Sequence, residues 1–267
     1  MEIRYGQKEL GMYQFFVNPS QIVDKTVIIE GSDVNHIKNV LRMKIGEEVS
    51  VSNGTDGNEY RCAIKEFADD KVILELRFIK EDSHELPSKV YLFQGLPKAD
   101  KMEGIIQKNI ELGVYEIIPV SMKRCVVKLD EKKVKSRTQR WQSIGEAAAK
   151  QSKRGIIPKI AEPMSFKQAL KYAKENCEVL ILPYELADQM QDTREIFNAI
   201  EPGQSIAIFI GPEGGFDESE IEEASKEGFR AITLGKRILR TETAGMCVMS
   251  VLMFNLEDRK CDEGKLS

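Results

Sequence analysis

The spacing of apolar residues along this chain changes near residue 80. Before that point, Ile37, Val40 and Leu41 form the apolar stripe of one predicted helix, for which Asp33 is a candidate N-cap. The other apolar residues fall in short β-type runs, with turn residues between them, at 13–17, 26–30, 48–52, 59–67 and 71–79. The pattern predicts a small β-barrel domain over residues 12–80. We exclude residues 1–11 from the fold.

After a polar segment at residues 81–88, predicted strands alternate with predicted helices. The strands are expected at 90–94, 115–120, 179–182, 206–210 and 231–234. The helices are expected at 98–112, 136–152, 166–176, 217–228 and 241–256. Because such alternation is typical of parallel sheets, we predict a second domain of the α/β class over residues 88–258.

The stretch from residue 206 to residue 245 carries the clearest local signals. An unbroken apolar run at 206–210 indicates a strand that is buried on both faces of a sheet. Asp217 and Glu220 are expected to form a capping box at the start of the next helix, where Phe216 and Ile221 form a hydrophobic staple. Gly228 is expected to end that helix. Thr241 is the expected N-cap of the last helix. Two strand-to-helix loops therefore lie close together, where open α/β sheets bind ligands.

The last helix is apolar nearly all round over residues 246–256. Such a helix is buried, either inside its own domain or against a second copy of the chain. The sequence alone leaves both possibilities open.

Composition describes an ordinary globular protein, with 42% hydrophobic and 31% charged residues. No apolar run reaches the ~18 residues of a membrane span, and the N-terminus lacks the apolar stretch of a signal peptide. The five cysteines are scattered without metal-ligand spacing. We therefore expect a cytoplasmic protein with no membrane, metal or disulfide requirement.

The charges are unevenly distributed. The whole chain carries a net charge of −4, but residues 121–159 contain twelve Lys or Arg residues against three acidic ones. A basic region on an acidic protein favours binding to a polyanion such as RNA. Trp141 lies within this region and is interpreted as a core residue rather than a base-stacking platform.

The first loop, residues 211–215, contains three glycines and a carboxylate. Glycines allow backbone N–H groups to approach an anion, but no Lys-Ser/Thr pair follows them as a P-loop requires. Glu213 also places negative charge where a phosphate would lie. A nucleoside ligand with positive charge, such as S-adenosylmethionine, fits better. The alternative is that these glycines only make tight turns.

The second loop, LGKRILRTETA, together with IGPEGGF resembles the C-terminal signature of the SPOUT methyltransferases, and specifically of the RsmE family. That family methylates N3 of a uridine in 16S ribosomal RNA. Three further segments are similar to the family pattern: HIKNVLRMKIGEEVSVSNGTDGNEY, GLPKADKMEGIIQKNIELGV and EAAAKQSKR. The resemblance covers residues 12–257. Gln14 departs from the pattern, because the family commonly has arginine immediately before the first aromatic pair.

The resemblance implies a PUA-like β-barrel domain that binds RNA, followed by an α/β-knot methyltransferase domain whose parallel sheet contains a deep trefoil knot. It also implies S-adenosylmethionine as cofactor, the small ribosomal subunit as partner, and a homodimer. The implied cofactor-binding residues come from three strand ends: Leu182, Pro183, Tyr184, Glu185, Ile210, Gly211, Pro212, Glu213, Gly215, Leu234, Gly235, Arg237, Ile238, Leu239, Thr241, Thr243 and Ala244.

For catalysis, we expect Arg240 to stabilise the uracil anion that develops as the N3 proton leaves. Glu242 is expected either to accept that proton or to hold Arg240. Its alternative role is to complement the dipole of the last helix. The expected RNA-binding residues are basic side chains of both domains: His36, Arg42, Lys98, Lys123, Arg124, Arg140 and Arg154. For His36, simple packing on a helix is the competing interpretation.

Two other functions stay open at this point. One is a different reaction of the same superfamily, such as ribose 2′-O or guanine N1 methylation of transfer or ribosomal RNA. The other is a non-catalytic RNA-binding factor of ribosome assembly, in which the cofactor site only stabilises the fold. The identity of the methylated nucleoside would distinguish the other reactions from uridine N3 methylation. Failure to bind S-adenosylmethionine would favour the non-catalytic factor.

Overall fold

The computed structural model describes residues 12–81, 84–184 and 190–257, without the side chain of Glu131. The chain forms two compact units. The first contains the chain up to Glu85 together with Lys153–Ile157, and the second contains Leu86–Ser152 and the chain from Pro158 onward. The predicted domain limits, 12–80 and 88–258, stay predictions.

The first unit is built on a six-stranded sheet with strand order β1-β4-β5-β6-β3-β2. Only β1 and β4 are parallel neighbours. The strands are β1 Gln14–Phe16, β2 Ile22–Val23, β3 Thr26–Glu30, β4 Glu48–Ser52, β5 Glu59–Phe67 and β6 Lys71–Lys80. Within the described ranges, β1 and β2 lie at opposite edges and do not pair. The predicted small β-barrel domain is confirmed in the form of a half-barrel, whose two edge strands have three and two residues.

The single helix of this unit begins earlier than expected. A short helix, α1, spans Ser32–Asn35 and continues as a π-helical turn over His36–Val40. Gly31, with φ +73°, occupies the N-cap position, so Asp33 lies in the first turn and does not cap the helix. Negative charge in that turn still complements the helix dipole. Ile37 is fully buried and fixes the turn to the half-barrel core.

The second unit is a parallel α/β sheet with strand order β10-β8-β7-β12-β11-β13 and β9 beside β8. Its strands are β7 Val90–Gly95, β8 Glu116–Ser121, β9 Lys159–Ile160, β10 Met164–Ser165, β11 Val179–Pro183, β12 Ile206–Ile210 and β13 Arg230–Ile232. Its helices are α2 Lys101–Glu111, α3 Glu131–Gln151, α4 Phe166–Asn176, α5 Met190–Asn198, α6 Glu218–Lys226 and α7 Thr241–Leu256. The α/β class and the parallel sheet are confirmed. The trefoil knot stays a prediction.

Helices cover both faces of this sheet. Along β12, Ile206, Ile208 and Ile210 pack into a core shared with α2, α3, α5 and α7. Ala207 and Phe209 point to the opposite core, which is shared with α4 and α6. All five residues are buried, which confirms that the apolar run is a central strand. Trp141 is 2% exposed and belongs to the first of these cores, as predicted.

The local signals around α6 are confirmed. Asp217 is the N-cap, Glu220 completes the capping box, and Gly228, with φ +91°, follows the end of the helix. Helix α5 was not predicted. Its apolar residues Ile196 and Phe197 are buried, but the helix has only nine residues, and Met190 is the one other apolar residue among them.

Over the residues that the structure describes, no helix is both long and apolar enough to cross a membrane. Over the same residues, no group of three or more His, Cys, Asp or Glu side chains is arranged to hold a metal ion.

Candidate functional site

A cavity of about 1050 Å³ lies at the carboxyl edge of the parallel sheet in the second unit. Strands β11 and β12 are hydrogen-bonded neighbours, and β13 pairs with the other side of β11. Because the three strands are parallel, the segments that follow them meet at one edge. These segments begin at Pro183, Ile210 and Thr233, and all three residues line the cavity.

The first glycine loop approaches the neighbouring strand β7 very closely. A Cβ atom at Gly95, the last residue of β7, would lie 2.7 Å from the backbone nitrogen of Pro212. At Gly211 a Cβ would lie 3.2 Å from the carbonyl carbon of Gly215, which itself has φ +68°. The loop therefore folds back on itself against β7, and the close contact requires glycine at position 95 and leaves little room for a side chain at Gly211.

A buried chain of hydrogen bonds joins this loop to helix α7. The Thr241 hydroxyl donates to the Gly211 carbonyl oxygen at 2.7 Å and accepts from Gln94 Nε2 at 2.8 Å. The prediction that Thr241 is an N-cap is wrong. Arg240 holds that position, and its donor-only side chain provides no cap. The Thr241 hydroxyl is used in the tertiary hydrogen bonds instead.

Basic side chains hold the outer side of the same loop. Arg124 donates to the Gly214 carbonyl oxygen at 3.1 Å, and the ammonium of Lys123 is 3.3 Å from Asp217. The Lys123 N–H donates to the buried carboxylate of Glu220 at 2.8 Å. These contacts tie the loop and the start of α6 to the segment after β8.

An ammonium between two carboxylates marks the side of the cavity next to α2. Lys101 Nζ lies 3.3 Å from Glu213 Oε1 and 3.3 Å from Glu242 Oε2. The hydrogen bond to Glu213, reinforced by the one to Glu242, raises the pKa of Lys101 although partial desolvation opposes it. Partial burial disfavours the charged form of Glu213, but backbone N–H donors, including that of Lys98, and the ammonium outweigh burial and lower its pKa. Lys101 and Glu213 are therefore both charged near neutral pH.

Most of the expected cofactor-binding residues line this one cavity. Leu182 does not, because it is buried in the core beneath the sheet. Thr243 is exposed on α7 and is also outside the lining, and Glu185 lies outside the described residues. The residues that line the cavity as expected are Pro183, Tyr184, Ile210, Gly211, Pro212, Glu213, Gly215, Leu234, Gly235, Arg237, Ile238, Leu239, Thr241 and Ala244.

The two expected catalytic residues are placed differently. Arg240 lines the cavity, its side chain is exposed, and no carboxylate of the described ranges pairs with it. Glu242 is not part of the lining, and its carboxylate contacts Lys101 rather than Arg240. The roles of both residues in catalysis stay predictions.

The expected RNA-binding residues do not form one group. His36 and Arg42 are exposed in the first unit. In the second unit Lys98, Lys123, Arg124 and Arg140 are exposed, and Arg140 pairs with Glu103 at 2.8 Å. Arg154 was expected at an RNA surface, but it is 3% exposed and ion-paired with Glu85 inside the first unit. The carboxylate of Glu85 compensates the buried guanidinium within the protein, so the placement of Arg154 is structural.

Sequence reasoning did not place Lys101, Gln94 or Gly95 at this site. A lysine on a predicted helix is normally solvated surface, and no local signal distinguishes Lys101 from Lys108 on the same helix. Gln94 and Gly95 do carry a signal, since a polar residue and a glycine end an otherwise apolar strand beside the predicted ligand loops.

Comparison with known families defines the class of this protein. A model described as an RNA methyltransferase domain matches residues 84–253, and one described as an RNA methyltransferase PUA domain matches residues 29–77. The half-barrel, the parallel α/β unit and its cavity therefore belong to a protein of the RNA methyltransferase class.

Individual similar proteins identify the family within this class. The ribosomal RNA small subunit methyltransferase E of Bacillus subtilis is 37% identical over 89% of this chain and 93% of its own length. A structure of the Neisseria gonorrhoeae enzyme of the same name, bound to S-adenosyl methionine, is 31% identical, covers 91% of this chain and 98% of its own, and has a TM-score of 0.77. A Legionella pneumophila putative methyltransferase with bound cofactor SAM is 31% identical, covers 92% and 98%, and has a TM-score of 0.76. The chain belongs to the ribosomal RNA small subunit methyltransferase E family.

Replacing Thr241 with valine tests the buried hydrogen-bond chain. Valine keeps the shape of the side chain but removes the hydroxyl, which leaves the Gly211 carbonyl and one Gln94 N–H without a partner. We expect the free energy of unfolding to fall by about 1–3 kcal/mol, measured by urea denaturation.

The matched control is Thr243→Val, at an exposed position of the same helix turn. We expect this variant to stay within about 0.5 kcal/mol of the parent protein. Equal losses in both variants would show that the hydroxyl of Thr241 contributes nothing beyond helix propensity.

Proposed function

We propose that the protein transfers the methyl group of S-adenosylmethionine to N3 of one uridine in 16S ribosomal RNA, with the assembled small subunit as substrate. The observation that carries this proposal is the convergence of the three strand ends, β11, β12 and β13, on one cavity. The family's sequence signature contributes two of the three segments that line it. The names of the similar proteins support small-subunit ribosomal RNA as the target.

The residues present fit S-adenosylmethionine. The cavity offers apolar surface from Ile210, Leu234 and Leu239 for an adenosine, and backbone groups of the glycine loops for its polar edges. The carboxylate of Glu213 complements a positively charged ligand. When bound, the cofactor supplies an electrophilic methyl group on a sulfonium.

The protein's own task is to manage the proton of the acceptor. N3 of uracil is protonated at neutral pH, so an N–C bond forms there only as the N3 proton leaves and the methyl carbon separates from sulfur. Arg240 lines the cavity with an exposed guanidinium, which suits it to donate hydrogen bonds to a uracil oxygen as negative charge develops. Positioning of the two reactants supplies further rate, by about 7–11 kcal/mol at most.

Glu242 is the proposed acceptor of the N3 proton. Its carboxylate is partly exposed, lies in the first turn of α7 and is held by Lys101 at 3.3 Å. In this arrangement the ammonium keeps the carboxylate next to the cavity wall. Holding Arg240, the other role considered for Glu242, receives no support from a contact between the two side chains.

Two sets of cations are proposed to contact RNA. In the second unit, the exposed lysines Lys132, Lys133 and Lys135 lie in the first turns of α3, near Lys128 before it. In the first unit, His36 and Arg42 lie on and just after the π-helical turn. Phosphate contacts of this kind add affinity by releasing counterions and do not read sequence.

A homodimer is proposed through helix α7. Its inner side packs in the core, whereas Phe254 is 83% exposed and Val251 is 37% exposed on the outer side, one turn apart. A large exposed aromatic residue on an apolar helix favours a protein partner. A second copy of this chain is the partner that the family resemblance implies.

The proposed function is tested by transfer of labelled methyl from S-adenosylmethionine to purified small subunits, large subunits, naked 16S RNA and transfer RNA, followed by nucleoside identification. We expect 3-methyluridine from small subunits. Another methylated nucleoside would assign a different reaction of the same superfamily, and no product from any RNA would favour an RNA-binding assembly factor.

Arg240→Ala tests the proposed anion stabilisation. Because the guanidinium is expected to act on the uracil and not on the cofactor, methyl transfer should be abolished while affinity for S-adenosylmethionine is nearly unchanged. Initial rates with small subunits and calorimetric titration with the cofactor measure the two effects. Full turnover by this variant would remove Arg240 from the mechanism.

Phe254→Asp tests the proposed dimer. A charge on the outer side of α7 should prevent association, and light scattering after size exclusion should report the mass of one chain instead of two. The matched control is Phe78→Asp, which changes a phenylalanine that is 58% exposed on the half-barrel. If the Phe254 variant keeps the mass of two chains, α7 is not the interface.

A further inference from the structure

The ion triad Glu213–Lys101–Glu242 joins three separate parts of the second unit. Glu213 belongs to the first glycine loop, Lys101 is the first residue of α2, and Glu242 lies in the first turn of α7. Lys101 and Glu213 line the cavity, and Glu242 lies next to its wall, with both N–O distances at 3.3 Å. The triad thus forms one charged segment of the cavity wall.

The charges of this segment do not cancel. Two ionised carboxylates share one ammonium, so the triad carries a net charge of −1 near neutral pH. The side chains of Lys101, Glu213 and Glu242 are 32%, 27% and 30% exposed, respectively, so water screens their charges in part. Glu213 is the only carboxylate among the described residues that line the cavity, so its charge is the one that favours a cationic ligand there. The other charged residues of the described lining are cations: Lys101, Lys236, Arg237 and Arg240.

Methyl transfer changes the charge of the cofactor and little else. S-adenosylmethionine carries a sulfonium, whereas its product, S-adenosylhomocysteine, carries a neutral thioether; adenosine, ribose, amine and carboxylate are common to both. A site that contacts only those common groups binds S-adenosylhomocysteine and S-adenosylmethionine with the same affinity. Discrimination between them requires a group that senses the charge on sulfur.

We propose that the triad is this group: Glu213 supplies the negative charge that favours the sulfonium over the thioether, and Lys101 limits that preference. This inference rests on the proposed function, because it takes S-adenosylmethionine as the ligand. It extends that function by assigning the release of the demethylated product to a defined set of charges on the protein.

Lys101 is needed because an uncompensated pair of carboxylates would favour the sulfonium too strongly. Without the ammonium, Glu213 and Glu242 would place a charge of −2 beside the cavity, and like charges near one another are destabilising. The ammonium also holds the first loop to the start of α7. Its charge sets the strength of discrimination, and its length sets the spacing of the two segments.

Equilibrium binding of the two ligands to the full-length protein tests the proposal without any turnover. The quantity of interest is the ratio of the dissociation constant for S-adenosylhomocysteine to that for S-adenosylmethionine, measured by calorimetry. A loop displacement that alters only the contacts common to both ligands changes both constants together and cancels in the ratio, whereas a change in wall charge does not.

Glu213→Gln removes the charge but keeps a side-chain oxygen that accepts from the Lys98 N–H. We expect the ratio to fall about 3- to 10-fold, as suits a partly screened charge. Lys101→Met should raise the ratio by about the same factor, because it exposes the second carboxylate charge. Lys101→Arg keeps the charge and should leave the ratio within about twofold of the parent value.

Lys108→Met is the matched control, since Lys108 is on the same helix and pairs with Glu111 at 2.9 Å. We expect it to leave the ratio unchanged. Parent-like ratios in both Glu213→Gln and Lys101→Met would overturn the proposal while leaving the cofactor assignment intact. Failure of the parent protein to bind either ligand would instead overturn the proposed function itself, and this inference with it.

Discussion

The cavity depends on one buried hydrogen-bond chain, in which Thr241 connects Gln94 to the carbonyl of Gly211. These three residues come from β7, from the loop after β12 and from the first turn of α7. Gln94 is fully buried and Thr241 is 5% exposed, whereas the bond from Thr241 to Gly211 is partly buried, so a lost partner is hardest to replace at Gln94. These hydrogen bonds therefore fix where the first glycine loop ends and where helix α7 begins, and the cavity is the space left between them.

Electrostatic contacts divide the basic residues of the second unit into two roles. Lys123 and Arg124 look like RNA-binding cations in the sequence, yet the Lys123 ammonium lies 3.3 Å from Asp217 and Arg124 donates to the Gly214 carbonyl oxygen. Their charge is thus partly used to hold the ligand loop in place. The lysines at the start of α3 lie at the surface, and the ion pair of Lys133 is with the neighbouring Asp130 rather than with the glycine loop. A local excess of positive charge does not by itself identify an RNA surface, because part of it stabilises the fold.

Local signals predicted the elements of the second unit well where they were strong. The capping box of Asp217 and Glu220, the apolar run Ile206–Ile210 and the amphipathic pattern of Phe166–Asn176 all correspond to observed elements. Signals that depend on distant partners failed. Thr241 has the side chain of an N-cap, but its hydroxyl is used by Gln94 and Gly211. Helix α5 has too few apolar residues to be recognised, although two of them are buried in the core.

By itself, the sequence determined the α/β class, the family and most of the residues that line the cavity. These follow from short-range patterns: strands ended by glycine loops, capped helices, and a motif pair at fixed spacing. Tertiary structure alone decided that the half-barrel stays open, that Arg154 is buried against Glu85, and that Lys101 stands between Glu213 and Glu242. The physical reason is that edge pairing, burial and charge compensation are set by residues far apart in the chain, whose proximity no local pattern records.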